Sequence, residues 1–370
     1  MFSPMRSKPR AFLIPAIALS LSVAACQSPN TTPTSSPAAG TTGSATPAAA
    51  GGGGGSNVSL TGAGASFPAP LYQRWFSEYN KQNPNVQVSY QSVGSGAGVE
   101  QFTQGTVNFG ASDTGMKPEE ITKVAKGAVL LPMTAGSIVL GYNLPDVKGL
   151  KLPRAVYTDI FLGKIKNWND PRIAQANPGL TLPDRPITVI HRSDGSGTTS
   201  VFTQHLSAIS PAWKSGPGAG KTVNWPVGVG AKGNEGVTAQ LLQSDGAIGY
   251  VEYGYAKQQN IPTAALENKS GKFIEPSGET AANALAAVTL PADLQAYIAD
   301  PEGENSYPIV TYTWIMAYKT YEDPQKAQAL KNVLKWSLTE GQKYSEELGY
   351  VPLPQPVVTK VQAAVDSIKP

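Results

Sequence analysis

The apolar and polar positions of the chain follow two periods, one typical of strands and one typical of helices. From Asn57 onward, short β-branched runs alternate with segments in which apolar residues recur every three or four positions. Leu71, Trp75 and Tyr79, for example, recur every four residues and predict a helix over residues 71–81. This alternation of strand-like and helix-like segments predicts an α/β fold.

Further elements are indicated by alternation or by short apolar runs that end in turns. The predicted strands are Val86–Tyr90, Val107–Ser112, Ile187–Ile190 and Ile309–Tyr318. Two more helices are predicted over residues 201–209 and over most of residues 325–348. Several of these strands end in a turn of small residues.

Three turns rich in glycine and serine stand where a strand or loop gives way to a helix. They are Gly62–Phe67, Gly94–Gly98 and Asp194–Thr199. Such turns let the backbone approach a ligand closely and leave the first N–H groups of the helix free to donate. Those donors, at the positive end of the helix dipole, suit an oxyanion. One such turn is usually only a helix cap, but three in one chain favour an anion-binding site.

The first residues predict export. Arg6, Lys8 and Arg10 precede a short apolar stretch, and Ala24 and Ala25 supply the small residues of a cleavage site, so residues 1–25 are predicted to be a signal peptide. The next residue, Cys26, is the only cysteine of the chain. Its position favours a lipobox, in which the exposed cysteine is acylated, over a plain secretory signal.

Residues 26–56 contain no charged residue and consist largely of Ser, Thr, Pro, Ala and Gly. This composition predicts a disordered linker between a membrane anchor and the folded part. The formal net charge of the whole chain is +3, and the predicted signal peptide holds three basic residues and no acidic one. The processed chain is therefore near neutrality, which argues against nucleic-acid binding.

Five segments carry a resemblance to a known family. They are Thr61–Pro70, Phe109–Asp113, Ile160–Trp168, Arg192–Thr198 and Gly246–Tyr253. In these segments the chain resembles the periplasmic phosphate-binding proteins of ATP-driven phosphate importers, from Leu60 to the C-terminus. The resemblance implies an α/β type II periplasmic binding protein, in which two crossover segments join two domains around a ligand cleft. It implies a first domain of residues 57–133 and 307–370 and a second domain of residues 134–306.

The resemblance also implies the residues that bind phosphate. In the three turns and at the end of one strand they are Ser66, Phe67, Ser95, Asp113, Arg192, Ser196, Gly197 and Thr198, with Asp194 orienting the guanidinium of Arg192. It implies no cofactor, no metal and no catalytic residue. The implied partners are inorganic phosphate and the transmembrane and ATPase subunits of the importer. The protein is expected to be a monomer outside the cytoplasmic membrane, anchored through Cys26.

Asp113 is informative because a carboxylate beside a bound anion is repulsive unless the ligand carries a proton. Both HPO₄²⁻ and H₂PO₄⁻ carry one, whereas sulfate at neutral pH does not. A site that pairs with a ligand hydroxyl can reject an analogue without it by about 10⁴–10⁵-fold. Asp113 therefore favours phosphate over sulfate or molybdate, while arsenate, which carries the same proton, stays an alternative.

The residues bear differently on two other classes of function. A phosphatase is disfavoured because the chain has only two histidines, no zinc-binding cluster and no recognisable nucleophile motif. His205 shares an apolar helix face with Val201 and Ile209 and is predicted to pack in the core. A phosphate-sensing or adhesion lipoprotein with the same fold is not distinguished from a transport protein by these residues.

Overall fold

The computed structural model describes residues 57–286 and 288–370, and its dominant feature is one curled sheet of eight strands. The eight strands, in chain order, are β1 Val58–Gly64, β2 Val86–Ser92, β3 Phe109–Ser112, β4 Ala128–Tyr142, β6 Thr188–Arg192, β7 Val229–Ala231, β8 Ala247–Glu252 and β11 Val310–Tyr318. A second sheet contains β5 Lys151–Leu152, β9 Ala265–Glu267 and β10 Phe273–Ile274. The predicted α/β class is confirmed.

Twelve α-helices and one 3₁₀ helix connect the strands in the described residues. They are α1 Ala69–Gln82, α2 Ser95–Gln104, α3 Pro118–Ile121, α4 Arg154–Phe161, α5 Pro171–Ala176, α6 Gly197–Ile209, α7 Pro211–Ser215, α8 Gly233–Gln243, α9 Tyr253–Gln258, α10 Gly278–Ala286, α11 Pro324–Leu338, the 3₁₀ helix Glu340–Tyr344 and α12 Gln355–Asp366. The helices that cover the large sheet bury apolar faces against it, as Leu71 and Trp75 of α1 illustrate.

The large sheet has the strand order β2-β1-β3-β11-β4-β8-β6-β7 and divides at β4. Residues 128–137 of β4 pair with β11, and residues 138–142 pair with β8. We call β2, β1, β3, β11 and the first part of β4 the first half-sheet. The rest of β4, with β8, β6 and β7, is the second half-sheet. Helices α1 and α2 pack on the first half-sheet, and α6 and α8 pack on the second.

Central and edge strands of the large sheet differ in composition because they are buried to different extents. Strands β3, β4, β8 and β11 lie at the centre and are buried on both faces, so they read as continuous apolar or small-residue runs. Strand β2 lies at the edge and alternates between buried and exposed positions. Strands β3 and β6 end beside the cleft between the two halves, where they place Asp113 and Arg192.

The structure departs from the predicted elements at some boundaries. Strand β6 continues through Arg192, two residues past the predicted end, because His191 and Arg192 still pair with β7. Strand β3 begins only at Phe109, since Asn108 instead bonds back to the strand β1 residue Thr61. The predicted helix over residues 325–348 ends at Leu338 and is followed by the 3₁₀ helix and turns.

The segment that follows α10 contacts both half-sheets. The carbonyl of Leu294 accepts a hydrogen bond from the indole of Trp314 on β11, 2.8 Å away. Farther along, Asp300 forms a two-pronged ion pair with Arg154 of α4, at 2.9 and 2.7 Å. This segment therefore bonds to elements on both sides of the cleft.

The predicted signal peptide, the lipidation site Cys26 and the linker over residues 26–56 lie outside the described residues. Within residues 57–286 and 288–370, no helix is both long enough and apolar enough to cross a membrane.

Candidate functional site

The structure brings the three small-residue turns together in the cleft between the half-sheets. The first turn follows β1, the second opens α2, and the third joins β6 to α6. Gly96 of the second turn donates its N–H to the carbonyl of Gly195 in the third, at 2.7 Å. A Cβ on Gly96 would lie 3.1 Å from the Cα of Gly195. The turns approach each other this closely because glycine lacks a side chain on both sides.

Arg192 is the cation of this cleft and is held by Asp194. Strand β6 ends at Arg192, whose Nε and Nη2 donate to the two carboxylate oxygens of Asp194 at 2.8 and 2.5 Å. Burial alone would raise the pKa of Asp194, but the Arg192 guanidinium holds it below its ordinary value. The remaining nitrogen, Nη1, points to the Thr198 hydroxyl at 3.3 Å. Asp194 thus fixes the plane of the guanidinium and leaves one edge facing the cleft.

The third turn forms the N-terminus of α6. Ser196 is its N-cap, and the Ser196 Oγ accepts the Thr199 N–H at 3.0 Å. Gly197 and Thr198, the next two residues, are in the first helical turn, whose N–H groups have no intrahelical acceptor. A Cβ on Gly197 would lie 2.5 Å from Ser95 Oγ and 2.7 Å from Asp113 Oδ2. The N-terminal donors of α6 consequently reach the opposite side of the cleft directly.

Asp113 lies immediately after β3, in the first half-sheet, and is 1 % exposed. Its Oδ1 accepts the Thr313 hydroxyl at 2.9 Å, and its Oδ2 accepts the Thr198 hydroxyl at 3.4 Å. Burial raises the pKa of Asp113 to about 6, although the Thr313 hydrogen bond and the charge of Arg192 oppose the shift. Asp113 is therefore mostly ionised at pH 7 and can accept a proton-bearing group.

Ser66 and Phe67 lie in the first turn, between β1 and α1, and both are buried. The Phe67 carbonyl accepts the Tyr350 hydroxyl and the Ser66 carbonyl accepts the Tyr255 hydroxyl, each at 2.7 Å. Both carbonyls of the first turn are therefore bonded to these phenols. Tyr255 lies on α9, which follows a strand of the second half-sheet, so this contact also crosses the cleft.

Ser95 is the first residue of α2, and the glycine-rich stretch that follows belongs to the helix itself. The Ser95 Oγ accepts the backbone N–H of Asp113 at 3.2 Å. Ser95 and Asp113 thus lie side by side on the first half-sheet. The structure therefore gathers every predicted site residue of residues 57–370 in one cleft.

Three polar residues of the cleft were missed by the sequence analysis. Asn234 contacts the hydroxyls of Ser66 and Thr198, and Thr313 contacts Asp113. The Tyr250 hydroxyl accepts the Arg192 N–H at 3.0 Å and contacts the Thr199 hydroxyl. Thr313 and Tyr250 stand within apolar strands, where nothing marks them as special. The sequence preceding Asn234, Gly230-Ala231-Lys232-Gly233, is a fourth small-residue stretch before a helix and was a usable signal.

The charges of the cleft nearly cancel. Arg192 is balanced by Asp194, and Lys221, whose pKa is lowered by burial, lies with its Nζ 3.7 Å from Glu120 Oε1. Asp113 adds a negative charge. An anion in this cleft is consequently held by directed N–H and O–H donors more than by excess positive charge.

A cavity of about 460 Å³ adjoins the site on the solvent side. Its walls come from both half-sheets and are formed by Thr114, Lys117, Glu120, Ser200, Gln204, Ala219, Gly220, Lys221 and Tyr297. Thr114 follows Asp113 directly, and Ser200 belongs to α6. The cavity borders the cleft through Thr114 and Ser200.

The two histidines take no part in the cleft. His205 is fully buried, with its ring nitrogens bonded to the Tyr157 hydroxyl and the Ala299 carbonyl, each at 2.8 Å. Burial lowers its pKa to about 4. The predicted core position of His205 is therefore confirmed. Among the described residues, no group of three or more His, Cys, Asp or Glu side chains is placed to hold a metal ion.

Comparison with known proteins agrees with this architecture. Residues 31–340 match a PBP superfamily domain. The chain is 45% identical to the phosphate-binding protein PstS of Pasteurella multocida over 82% of this chain and 89% of that protein. It is 41% identical to the PstS of Methanocaldococcus jannaschii over 85% of this chain and 87% of that protein. A phosphate ABC transporter substrate-binding protein of Clostridium perfringens, solved with bound phosphate, shares the fold at a TM-score of 0.60 and 18% identity, covering 80% of this chain and all of that one.

Proposed function

Because the chain belongs to the PBP superfamily and, within it, to the PstS phosphate-binding proteins, we propose that it captures inorganic phosphate and delivers it to an ATP-driven phosphate importer. The type II fold of this family encloses a ligand between two α/β halves. The site of capture is the cleft where the three turns meet. The function is binding and delivery, carried out without a chemical step.

Hydroxyls and backbone N–H groups from both half-sheets surround the anion. Ser66, Phe67 and Ser95 donate from the first half-sheet. Arg192 Nη1 and the Ser196–Thr198 turn donate from the second. An anion removed from water needs all its oxygens hydrogen-bonded, since each missing bond costs free energy comparable to the bond itself. Several charge-assisted hydrogen bonds of roughly 1.5–3 kcal/mol each are sufficient for micromolar or tighter binding.

The observation that carries the proposal is the buried carboxylate of Asp113 among these donors. It lies within 3.4 Å of the Thr198 hydroxyl and is aimed at the same cleft as Arg192 Nη1. A carboxylate in an anion site is favourable only when it accepts a proton from the ligand. Monohydrogen and dihydrogen phosphate satisfy it, and fully deprotonated sulfate does not.

Capture proceeds by a two-state hinge. The first domain comprises residues 57–133 and 307–370, the second comprises residues 134–306, and they move about β4 and the segment before β11. The change of pairing partner within β4, between residues 137 and 138, supports a hinge at that point. The donors of the two halves act on one ligand only in the closed form, so phosphate stabilises closure. The closed, loaded protein is the form that the membrane permease recognises.

The protein acts outside the cytoplasmic membrane as a monomer. A signal peptide over residues 1–25 directs export, acylated Cys26 anchors the chain, and the linker over residues 26–56 holds the binding domains off the surface. The position of Cys26 directly after Ala24 and Ala25 supports the anchor. Metabolic labelling with a fatty acid tests it, because a Cys26→Ser variant loses the label.

The experiment that tests capture is calorimetric titration of the protein, freed of bound anion, with phosphate and then with sulfate at pH 7. We expect micromolar or tighter phosphate binding and no sulfate binding. Asp113→Asn replaces the acceptor with an amide that also donates, so it weakens phosphate binding and admits sulfate. Arsenate is a second titrant, since it carries the same proton as phosphate.

Glu119→Gln is the matched control for this substitution, because Glu119 is an exposed carboxylate at the start of α3. It should leave both titrations unchanged. Equal affinity of the wild-type protein for phosphate and sulfate would remove the role assigned to Asp113. Binding of neither anion would contradict phosphate capture altogether.

A further inference from the structure

Asn234 donates three hydrogen bonds to hydroxyls of the candidate anion site. It is fully buried at the start of α8, after Gly233, whose φ of +72° places the helix N-terminus against the cleft. The backbone N–H and the Nδ2 of Asn234 both donate to Ser66 Oγ, at 3.0 and 2.9 Å. Its Nδ2 also donates to Thr198 Oγ1 at 3.2 Å.

The orientation of the Asn234 amide is fixed by a neighbour that can only donate. The Glu252 backbone N–H bonds to Asn234 Oδ1 at 2.9 Å. A backbone N–H has no acceptor capacity, so the oxygen of the amide must face Glu252 and the nitrogen must face the two hydroxyls. Asn234 is therefore a donor toward the cleft and cannot reverse its role there.

This arrangement determines what the Ser66 hydroxyl can do. A serine hydroxyl has two acceptor positions and one hydrogen. Both acceptor positions of Ser66 Oγ are occupied by donors of Asn234. Its hydrogen is then available only for donation to another group. An anion offers acceptors, so a hydroxyl constrained to donate suits it, whereas a free hydroxyl could also present a lone pair and repel it.

The same reasoning applies to Thr198. Its Oγ1 accepts from Asn234 Nδ2 at 3.2 Å and from Arg192 Nη1 at 3.3 Å. Its hydrogen is directed into the cleft, where Asp113 Oδ2 lies 3.4 Å away. One amide thus sets the donor role of two hydroxyls on opposite sides of the cleft.

We propose that Asn234 is a positioning residue for phosphate capture, which constrains the Ser66 and Thr198 hydroxyls to donate and which reaches Ser66 only when the cleft is closed. The dependence on closure follows from its place in the fold, because α8 packs on the second half-sheet and Ser66 follows β1 of the first. The inference rests on the proposed function, since it describes how the same site selects an acceptor-rich ligand.

A double-mutant cycle on phosphate affinity tests this role. Asn234→Ala is expected to weaken phosphate binding about 30-fold in the wild-type background and no more than about 3-fold in a Ser66→Ala background, because its main acceptor is then gone. A merely structural role predicts equal losses in both backgrounds. Equal losses would overturn the inference.

Asn143→Ala is the matched control. Asn143 is also an amide that bonds to α8, but it does so at the other end, through the carbonyls of Leu241 and Leu242 at 2.9 and 3.3 Å. It should change thermal stability while leaving phosphate affinity within about 2-fold, because it lies away from the cleft. A loss as large as that of Asn234→Ala would show that any weakening of α8 has this effect and would overturn the inference.

If Asn234→Ala does not fold, Asn234→Asp replaces it in the same cycle. The carboxylate keeps the side-chain volume and the acceptor for Glu252 but turns the donor facing Ser66 and Thr198 into an acceptor. We expect a loss of at least about 100-fold in the wild-type background and a clearly smaller one in Ser66→Ala. If the wild-type protein itself does not bind phosphate, the proposed function fails. If the wild-type protein binds phosphate but the cycle shows no coupling, only the role of Asn234 fails.

Discussion

The two sides of the cleft contribute similar hydrogen-bonding groups but organise them differently. On the second half-sheet, Arg192 is oriented by Asp194 two residues later, and Ser196 caps the helix that carries Thr198. Every one of these contacts is local. On the first half-sheet, the Ser66 hydroxyl finds its partners only on the opposite side, at Asn234.

This difference separates affinity from closure. A side that is organised before the ligand arrives does not lose side-chain freedom on binding, and its contacts therefore contribute fully to affinity. A side that is completed only by contacts across the cleft links ligand binding to the movement of the two halves. We infer that the second half-sheet is the receptor side, whose prearranged groups contribute most of the affinity, and that the Ser66 hydroxyl of the first half-sheet links binding to closure.

The largest expected effect comes from removing the prearranged cation. Arg192→Ala leaves the Asp194 carboxylate without its cation, with the Gly233 N–H still donating to it at 3.0 Å, and should weaken phosphate binding at least about 10³-fold. Arg154→Ala is the matched control, because Arg154 forms a similar two-pronged pair with Asp300 away from the cleft. It should lower the melting temperature and leave affinity unchanged in calorimetry. Retained affinity in Arg192→Ala would reverse the comparison between the two sides.

The next effect is a pH dependence that separates Asp113 from Asp194. With the pKa of Asp113 at about 6, lowering the pH protonates this carboxyl, which then donates to a sulfate oxygen instead of repelling it. The protonated fraction rises about 90-fold between pH 8 and pH 5, so sulfate affinity should rise by about two orders of magnitude.

Asp113→Asn is the control for that titration, because its sulfate affinity should not vary with pH in this range. Asp194, whose pKa lies below its ordinary value, stays ionised throughout and does not contribute. A wild-type sulfate affinity that is constant between pH 8 and pH 5 would contradict the role of Asp113.

A smaller effect is expected from loosening Arg192 without removing it. Asp194→Asn keeps the side-chain volume but replaces one acceptor oxygen with an amide donor. Because the Arg192 guanidinium only donates, one of its two hydrogen bonds to residue 194 is lost, and phosphate affinity should fall about 10-fold. Asp245→Asn, at an exposed ion pair with Arg185, should have no effect on the same titration. An unchanged affinity in Asp194→Asn would mean that the receptor side does not depend on a fixed guanidinium plane.

The smallest effect should come from obstructing closure. Gly96→Ala places a methyl group 3.1 Å from the Gly195 Cα across the cleft, and we expect phosphate affinity to fall about 5-fold. The same change in helix α8, Gly236→Ala, meets nothing closer than 3.6 Å and should leave affinity unchanged. Faster phosphate release from Gly96→Ala in stopped-flow would identify the closed state as the one affected. Identical behaviour of the two variants would argue against closure at these turns.

Several features of this protein were determined by the sequence alone because they depend on near neighbours. The period of apolar residues predicts α1 and β2, and the small-residue turns predict helix N-termini aimed at a ligand. Asp194 lies two residues from Arg192, so their pairing is a local matter as well. The boundaries that were missed, such as the extension of β6 through Arg192, depend on pairing with β7, which lies far away in the sequence.

Only the tertiary structure decided how the donors of the cleft are paired. Asn234 and Ser66 are 168 residues apart, and Thr313 and Asp113 are 200 apart. Neither Thr313 nor Tyr250 differs in type from its neighbours in a buried strand, so local pattern carries no sign of its role. Whether a hydroxyl donates or accepts depends on which groups fold against it, and that is a property of the packed cleft and not of the residue.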